Sequence, residues 1–467
     1  MHIKNVNTTR MTSTIFAKQV LTTIGWQNDV VITVDSNGLI TNISEGMHSQ
    51  VDHTVGILLP ALSNVHSHSF QRAMAGLAEE RGPNPIDDFW TWRKVMYRFL
   101  EILTPEDIEA IAAQVQMEVL EAGFASIGEF HYVHHGQGGE KYERIDELSQ
   151  RHFQAAINTG IGYTHLPVLY MRGGLDNRKL KGVQLRLGNT IEEFEALHSA
   201  MSESYKSLPN DFTLGIAPHS LRAVNKDGLL ASKRVVGNGP IHIHIAEQLA
   251  EVHEVQASYG ERPVKWLLDN IAIDDQWCLI HATHMDRMEL TDMAKSGAVA
   301  GLCPLTEANL GDGIFNAKDY MQNGGAIGIG SDSNIRISLA EELRVLETSQ
   351  RLRDKRRVIL TDEYTRSNGR YIYENAATGG AKAIDRNSGH IEIGALADLV
   401  ALDDTHHNIA ALKEDTILDA WIFSSSDDIV CDVWSAGRHV VKDGKHIHHD
   451  SITDTFSKSI IKLRNAL

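Results

Sequence analysis

Leu58-Leu59-Pro60-Ala61-Leu62-Ser63-Asn64-Val65-His66-Ser67-His68 is an apolar run that ends in two histidines one residue apart. Read as a buried strand, it sets alternate side chains on one face, so His66 and His68 point to the same spot. Two imidazoles converging at a strand end are a common start to a metal site. A lone His-x-His is weak evidence in a chain with 24 histidines, and His446-Ile447-His448 reads as a chance pair. By itself the first pair fits a solvated turn as well as a metal site. Its position after an apolar run turns the question to whether later runs supply the missing ligands.

They do. Short β-like runs recur at residues 125–131, 162–170, 212–219, 240–244, 277–283, 298–304 and 326–332. Helical patterns such as residues 105–122 separate them, which predicts parallel βα units. With the first run this makes eight strands, the count of a (β/α)8 TIM-type barrel, whose active-site residues sit at the C-terminal strand ends. His68, His131, His219, His244, His281 and Asp332 all stand at such ends. A doubly wound sheet would gather its ligands at one switch point instead. Three imidazoles and a carboxylate, from His66, His68, His244 and Asp332, suit zinc or another borderline divalent ion with a position left for water. Singly, His244 reads as a core histidine like His242, and Asp332 as a cap for the helical run after Ser331-Asp332-Ser333-Asn334. Jointly, their places on one ring of strand ends favour a metal centre.

Both ends of the chain are rich in short strands, with Asn37-Gly38 as a turn between two of them. Residues 1–59 and 391–467 are therefore expected to build a small β-sandwich domain, the latter ending in a helix from about residue 452. Residues 60–390 would form the barrel.

The net charge of −17 argues against a nucleic-acid partner, because phosphate binding needs a positive surface. It also means that an anionic substrate must be held by a few arginines placed locally against the overall field. Cys278, Cys303 and Cys431 are far apart and odd in number, so neither a disulfide framework nor a zinc knuckle is expected. Cys303 follows the seventh strand and stands near the site, yet a buried structural thiol is the commoner case. No apolar run reaches the ~20 residues that cross a bilayer, so no membrane partner is expected. Residues 1–13 lack the apolar segment of a secretory leader, so a cytoplasmic location is expected.

The chain resembles the amidohydrolase superfamily in its His-x-His after the first strand, His244-Ile245-Ala246-Glu247 after the fifth, His281 after the sixth and Asp332 after the eighth. Gly394-Ala395-Leu396-Ala397-Asp398-Leu399-Val400 in the flanking segment is similar too. Some members hold two metals bridged by a modified lysine after the fourth strand. Here that strand ends Ala217-Pro218-His219, so the resemblance implies one divalent ion, with zinc expected and iron or manganese as alternatives. Within the superfamily the deiminases of N-formimidoyl-L-glutamate are the most similar group. The residues that carry this are Ser63 to Met74, Phe89-Trp90-Thr91-Trp92-Arg93, Gly128-Glu129-Phe130-His131-Tyr132 and Ala217-Pro218-His219-Ser220-Leu221-Arg222. Val65 and Ser69 depart from the Leu and Ala usual in that group. The resemblance implies hydrolysis of a C–N bond in a small dianionic substrate, with Glu247 as proton shuttle, Asp332 as proton acceptor and His281 steadying the attacking oxygen. It implies Arg222, Arg93, Gln71, Tyr132 and His219 as substrate contacts, guanidinium being suited to carboxylates. The bland alternatives are a helix-start charge for Glu247, a strand cap for His281, a surface charge for Arg93 and a packed aromatic for Tyr132. A related deaminase acting on a nucleobase or another amidine, or a metal-binding homologue without activity, is the alternative function, and pairing into a homodimer is expected.

Overall fold

The computed structural model describes residues 12–46, 50–79 and 89–466. Outside the described residues lie 1–11, most of the polar start of the chain, and the side chains of Phe89, Trp90 and Thr91. Strands β1 (Ser13–Thr22), β2 (Gly25–Val34), β3 (Ile40–Glu45) and β4 (His53–Pro60) open the chain. Next come β5 (Leu62–Ser67), β6 (Phe124–His131), β7 (Gly162–Leu169), β8 (Phe212–Leu214) and β9 (Ala217–Pro218). They are followed by β10 (Ile241–Ile245), β11 (Trp277–His281), β12 (Val299–Leu302) and β13 (Ala326–Ile329). The last strands are β14 (Leu399–Leu402), β15 (Val430–Ser435), β16 (Arg438–Lys442) and β17 (Lys445–His446).

Strands β5 to β13 form the (β/α)8 barrel, hydrogen-bonded in the order β10-β11-β12-β13-β5-β6-β7-β8 with every pairing parallel. Most of their side chains are buried, those of β5, β6 and β7 throughout, which is why the strands read as runs with no exposed face. The run expected as one strand over 212–219 is broken into β8 and β9 at Gly215. There the chain presses against its neighbour: a Cβ on Gly215 would lie 2.5 Å from the Pro240 carbonyl oxygen. The closure follows directly, Ile216 N–H donating to Pro240 O and His242 N–H to Ile216 O, both at 3.0 Å.

The stretch 58–68 is two strands rather than one. Leu58, Leu59 and Pro60 end β4, where Pro60 pairs with Leu399 of β14. Ala61 N–H then donates to Asp398 O at 3.0 Å, and the chain enters the barrel as β5. The β layer drawn from both ends of the chain has the order β17-β16-β15-β14-β4-β1-β2-β3, packed around Ile15, Ile32, Leu58, Leu399 and Trp434. The apolar run at 394–402 is a strand only over Leu399–Leu402. The terminal helix His449–Ala466 lies against helix Pro105–Glu121, with Lys462 Nζ on Asp107 Oδ2 at 2.5 Å. That second helix starts as its sequence indicates, with a Thr104–Asp107 capping box and Pro105 in the first turn. Among the described residues no helix is long and apolar enough to cross a membrane.

His131 stands at the end of β6 as expected but faces away from the barrel centre. Phe130 beside it points inward, its ring 4.4 Å from that of His244, so the strand's two-residue period turns His131 outward. There it joins His152 (4.5 Å between rings), His134 and His165 (both 5.3 Å) in a buried layer under helix Glu147–Thr159. Burial pushes His134 and His152 down to about 3, and burial plus the neighbouring imidazoles lower His131 and His165. A histidine held neutral in the fold adds stability that is complete above its unfolded value of 6.5 and is lost as pH falls toward about 3. One such group is worth on the order of 5 kcal/mol at most over that window. A His152→Gln variant should therefore lose less thermal stability than wild type between pH 6.5 and pH 4, as calorimetry across that range would read. Parallel curves would place the acid sensitivity in other groups.

Candidate active site

The ends of β5, β10 and β13 bring His66, His68, His244 and Asp332 to one point. His244 Nε2 lies 3.1 Å from His66 Nε2 and 3.3 Å from His68 Nε2. Asp332 Oδ1 lies 3.5 and 3.4 Å from the same two nitrogens. His68 Nδ1 donates to Phe130 O at 3.0 Å and His244 Nδ1 to His219 O at 3.1 Å. A carbonyl only accepts, so in the neutral rings both Nε2 atoms carry lone pairs. Burial, together with the neighbouring rings in His66 and His244, favours that neutral form, and His66 is pushed down to about 3. Lone pairs facing each other across 3.3 Å repel unless a cation lies between them. Tetrahedral bonds of ~2.1 Å would set nitrogens ~3.4 Å apart, so donor type and spacing both fit a divalent ion.

The backbone beneath is locked. Gly330, just after β13, meets β5 so closely that a Cβ there would be 2.8 Å from His66 Cβ. Asp332 N–H donates to His66 O and His68 N–H to Asp332 O, both at 2.9 Å. Asn64 bridges the same strands through Ser331, accepting from its N–H at 3.1 Å and donating to its Oγ at 2.6 Å. Glu129 accepts from Ser69 N–H at 2.8 Å and Ser69 Oγ at 2.5 Å, fixing the turn after His68. Burial pushes the Glu129 carboxyl up to about 7, the Ser69 bonds pulling the other way. Ala246, His281, Ala282 and Asp332 have φ of 50°, 67°, 47° and 47°. Left-handed backbone at non-glycine residues costs about 1–3 kcal/mol each and clusters where strand ends aim functional side chains.

Above the side chains of His66, His68, His244 and Asp332 opens a cavity. Glu247, His281, Asp332, Gln71, Arg93, Tyr132, His219 and Arg222 all line it, while His66 lies beneath, fully buried. Glu247 is not part of the following helix, which begins at Leu249. Glu251 holds that helix start, accepting from Ala246 N–H and Glu247 N–H at 3.1 Å each. The Glu247 side chain is left 3.9 Å from His281 Nε2, with its carboxyl pushed up to about 7 by burial. Burial alone would depress His281, but Glu247, Glu307 and Asp332 raise it to about 10. Asp332 is no helix cap, since Ser338 caps the next helix. Burial would raise the Asp332 carboxyl, yet the imidazoles around it hold it well below the usual carboxylate range.

Of the expected substrate contacts, Gln71, Tyr132 and Arg222 are buried, whereas Arg93 and His219 are half-buried. Gln71 Nε2 donates to the Tyr132 hydroxyl at 3.2 Å, and Arg93 donates to the Tyr170 hydroxyl at 3.3 Å. Arg222 Nε is buried without a hydrogen-bond partner. Tyr170 and Glu307 are among the polar residues at the site that carry no motif in the sequence. Tyr170, one residue past β7, stacks edge-on to His219 with centroids 4.7 Å apart, and its strand-end place was a usable signal. Glu307 accepts from His281 Nδ1 at 3.2 Å, and no motif marks it.

Residues 57–440 match the amidohydrolase family model. With the barrel and its ring of strand-end histidines and aspartate, this chain belongs to the amidohydrolase family, hydrolases whose members bind a divalent metal. A formimidoylglutamate deiminase of Pseudomonas aeruginosa is 45% identical over 437 residues, spanning 93% of this chain and 96% of that protein. A 5-methylthioadenosine/S-adenosylhomocysteine deaminase of Haloarcula marismortui is 24% identical, spanning 93% of this chain and 92% of its own length. The crystal structure of an amidohydrolase from Brucella melitensis superposes with a TM-score of 0.92 at 42% identity, covering 97% of this chain and 99% of that one.

Proposed function

We propose that the chain hydrolyses N-formimidoyl-L-glutamate to N-formyl-L-glutamate and ammonia, a step of histidine degradation. The observation that carries this reading is the pairing of two arginines, Arg93 and Arg222, with Glu247, His281 and Asp332 around one cavity of a chain with net charge −17. The extensive similarity to a deiminase of that substrate supports it. A divalent ion held by His66, His68, His244 and Asp332, zinc by its donor set, would supply Lewis acidity to the attacking water. Asp332 takes the proton from that water as its oxygen bonds to the formimidoyl carbon. His281 stabilises the charge that builds on the attacking oxygen. Glu247 protonates the imine nitrogen as the water adds; Asp332 then passes the water's proton to that nitrogen while Glu247 takes up the hydroxyl proton, the C–N bond breaks, and ammonia leaves. Arg93 and Arg222 hold the two carboxylates, with Gln71, Tyr132 and His219 as hydrogen-bond partners. We place the protein in the cytoplasm, in keeping with its three free cysteines, as a homodimer without a nucleic-acid partner.

Ammonia release measured with formimidoylglutamate and with adenine and guanine nucleosides tests the reading. Turnover of the first is expected; turnover of a purine alone would reassign the enzyme. Arg222→Ala should raise KM for formimidoylglutamate by ~10- to 100-fold with kcat changed far less, since hydrogen bonds to a charged group are worth about 1.5–3 kcal/mol. Unchanged KM would move the carboxylate clamp elsewhere.

A further inference from the structure

Cys303 is absorbed by neither the fold's capping chemistry nor the proposed reaction. It precedes the helix Pro304–Leu310, and its thiol makes no capping bond to it. Its sulfur instead lies in a second cluster with a His281 nitrogen and an Asp332 oxygen, the three donor atoms all within 4.8 Å of one another. One carboxylate braces two of the three. Glu307 Oε1 accepts from His281 Nδ1 at 3.2 Å and from Cys303 N–H at 2.9 Å. A histidine whose far nitrogen is held by a carboxylate is the usual form of a metal-ligating imidazole, because that contact fixes the free nitrogen toward the ion. Sulfur, imidazole and carboxylate together select thiophilic ions and discriminate against magnesium and calcium.

We propose that His281, Cys303 and Asp332 form a second, inhibitory site for a thiophilic divalent ion such as Zn2+ or Cd2+, sharing Asp332 with the catalytic centre. An ion there takes His281 out of the reaction and sets a second positive charge beside the first. That repulsion makes it the weaker of the two sites, filled only in metal excess. On binding, the Cys303 thiol and the free nitrogen of His281 each give a proton to solvent, and the thiolate and the neutral imidazole become the ligands. The inhibitory consequence rests on the reaction proposed above, whereas the site itself does not.

The test starts from full-length protein loaded with one equivalent of metal. Equilibrium dialysis against Zn2+ should bring the content to two per chain, and turnover should fall at least ~10-fold, with Mg2+ having no effect. With Co2+, a thiolate-to-metal charge-transfer band in the near ultraviolet should appear with the second equivalent. Cys303→Ser and Cys303→Ala should keep basal turnover, lose the band and weaken inhibition by Zn2+ at least ~10-fold. Inhibition undiminished in both variants, or wild-type protein that takes up no second equivalent and shows no band, would overturn the assignment. Metal content and the band are read without substrate, so they stand or fall separately from the identity of the substrate.

Discussion

Replacing Glu247 by Gln is expected to leave the bound metal in place and to lower kcat for deimination by ~10² or more. Glutamine keeps the size and one oxygen of glutamate but has no proton to give and takes none up. The Glu247 carboxyl is 3.9 Å from His281 Nε2 and is pushed up to about 7 by burial, so both of its protonation states are accessible at neutral pH. That is the condition for a group that must hold a proton and then release it. None of the four proposed ligands depends on this side chain. The helix that follows is held by Glu251 through the backbone of Ala246 and Glu247, so the fold is spared as well. Elemental analysis beside steady-state kinetics distinguishes this from a trivial loss. Full metal with full activity would remove Glu247 from the proton path; metal lost along with activity would make it a structural support of the centre.

The barrel was legible because its strands are mostly buried and leave runs with no exposed face between helical patterns. The same burial hid the boundary at Ala61. Leu58 faces the small sheet's core, Leu59 and Leu62 the barrel side, and no change of period separates them. The break at Gly215 was hidden too, since it arises from contact with Pro240 across the closing seam rather than from local preference. At the site, motif residues were legible because each sits at a strand end. His131 misled for the same reason, and parity was the available correction: a site containing Tyr132 turns His131 away. Glu307 left no trace, because its partner His281 comes from a neighbouring strand and the pairing exists only once β11 and β12 lie side by side.

Asp332→Asn should cost more than any other single change at the centre that preserves its shape, with turnover reduced by at least ~10³ and divalent affinity weakened. The backbone gives no reason for loss: Asp332 has φ of 47°, a conformation that asparagine adopts readily. Its main-chain bonds to His66 and His68 are also independent of the side chain. What goes is charge. The carboxylate is the one anion among the four proposed ligands, 3.5 and 3.4 Å from the Nε2 atoms of His66 and His68, and lies 3.8 Å from His281 Nε2. An amide oxygen still reaches a cation but neither neutralises it nor accepts a proton from water, so one substitution removes a ligand's charge and the proposed base together. Adding excess divalent metal separates the two losses, since saturation restores occupancy without restoring a base. Recovery of wild-type turnover under saturating metal would mean that Asp332 only holds the ion, and the proton from water would then have to go to His281 or Glu247.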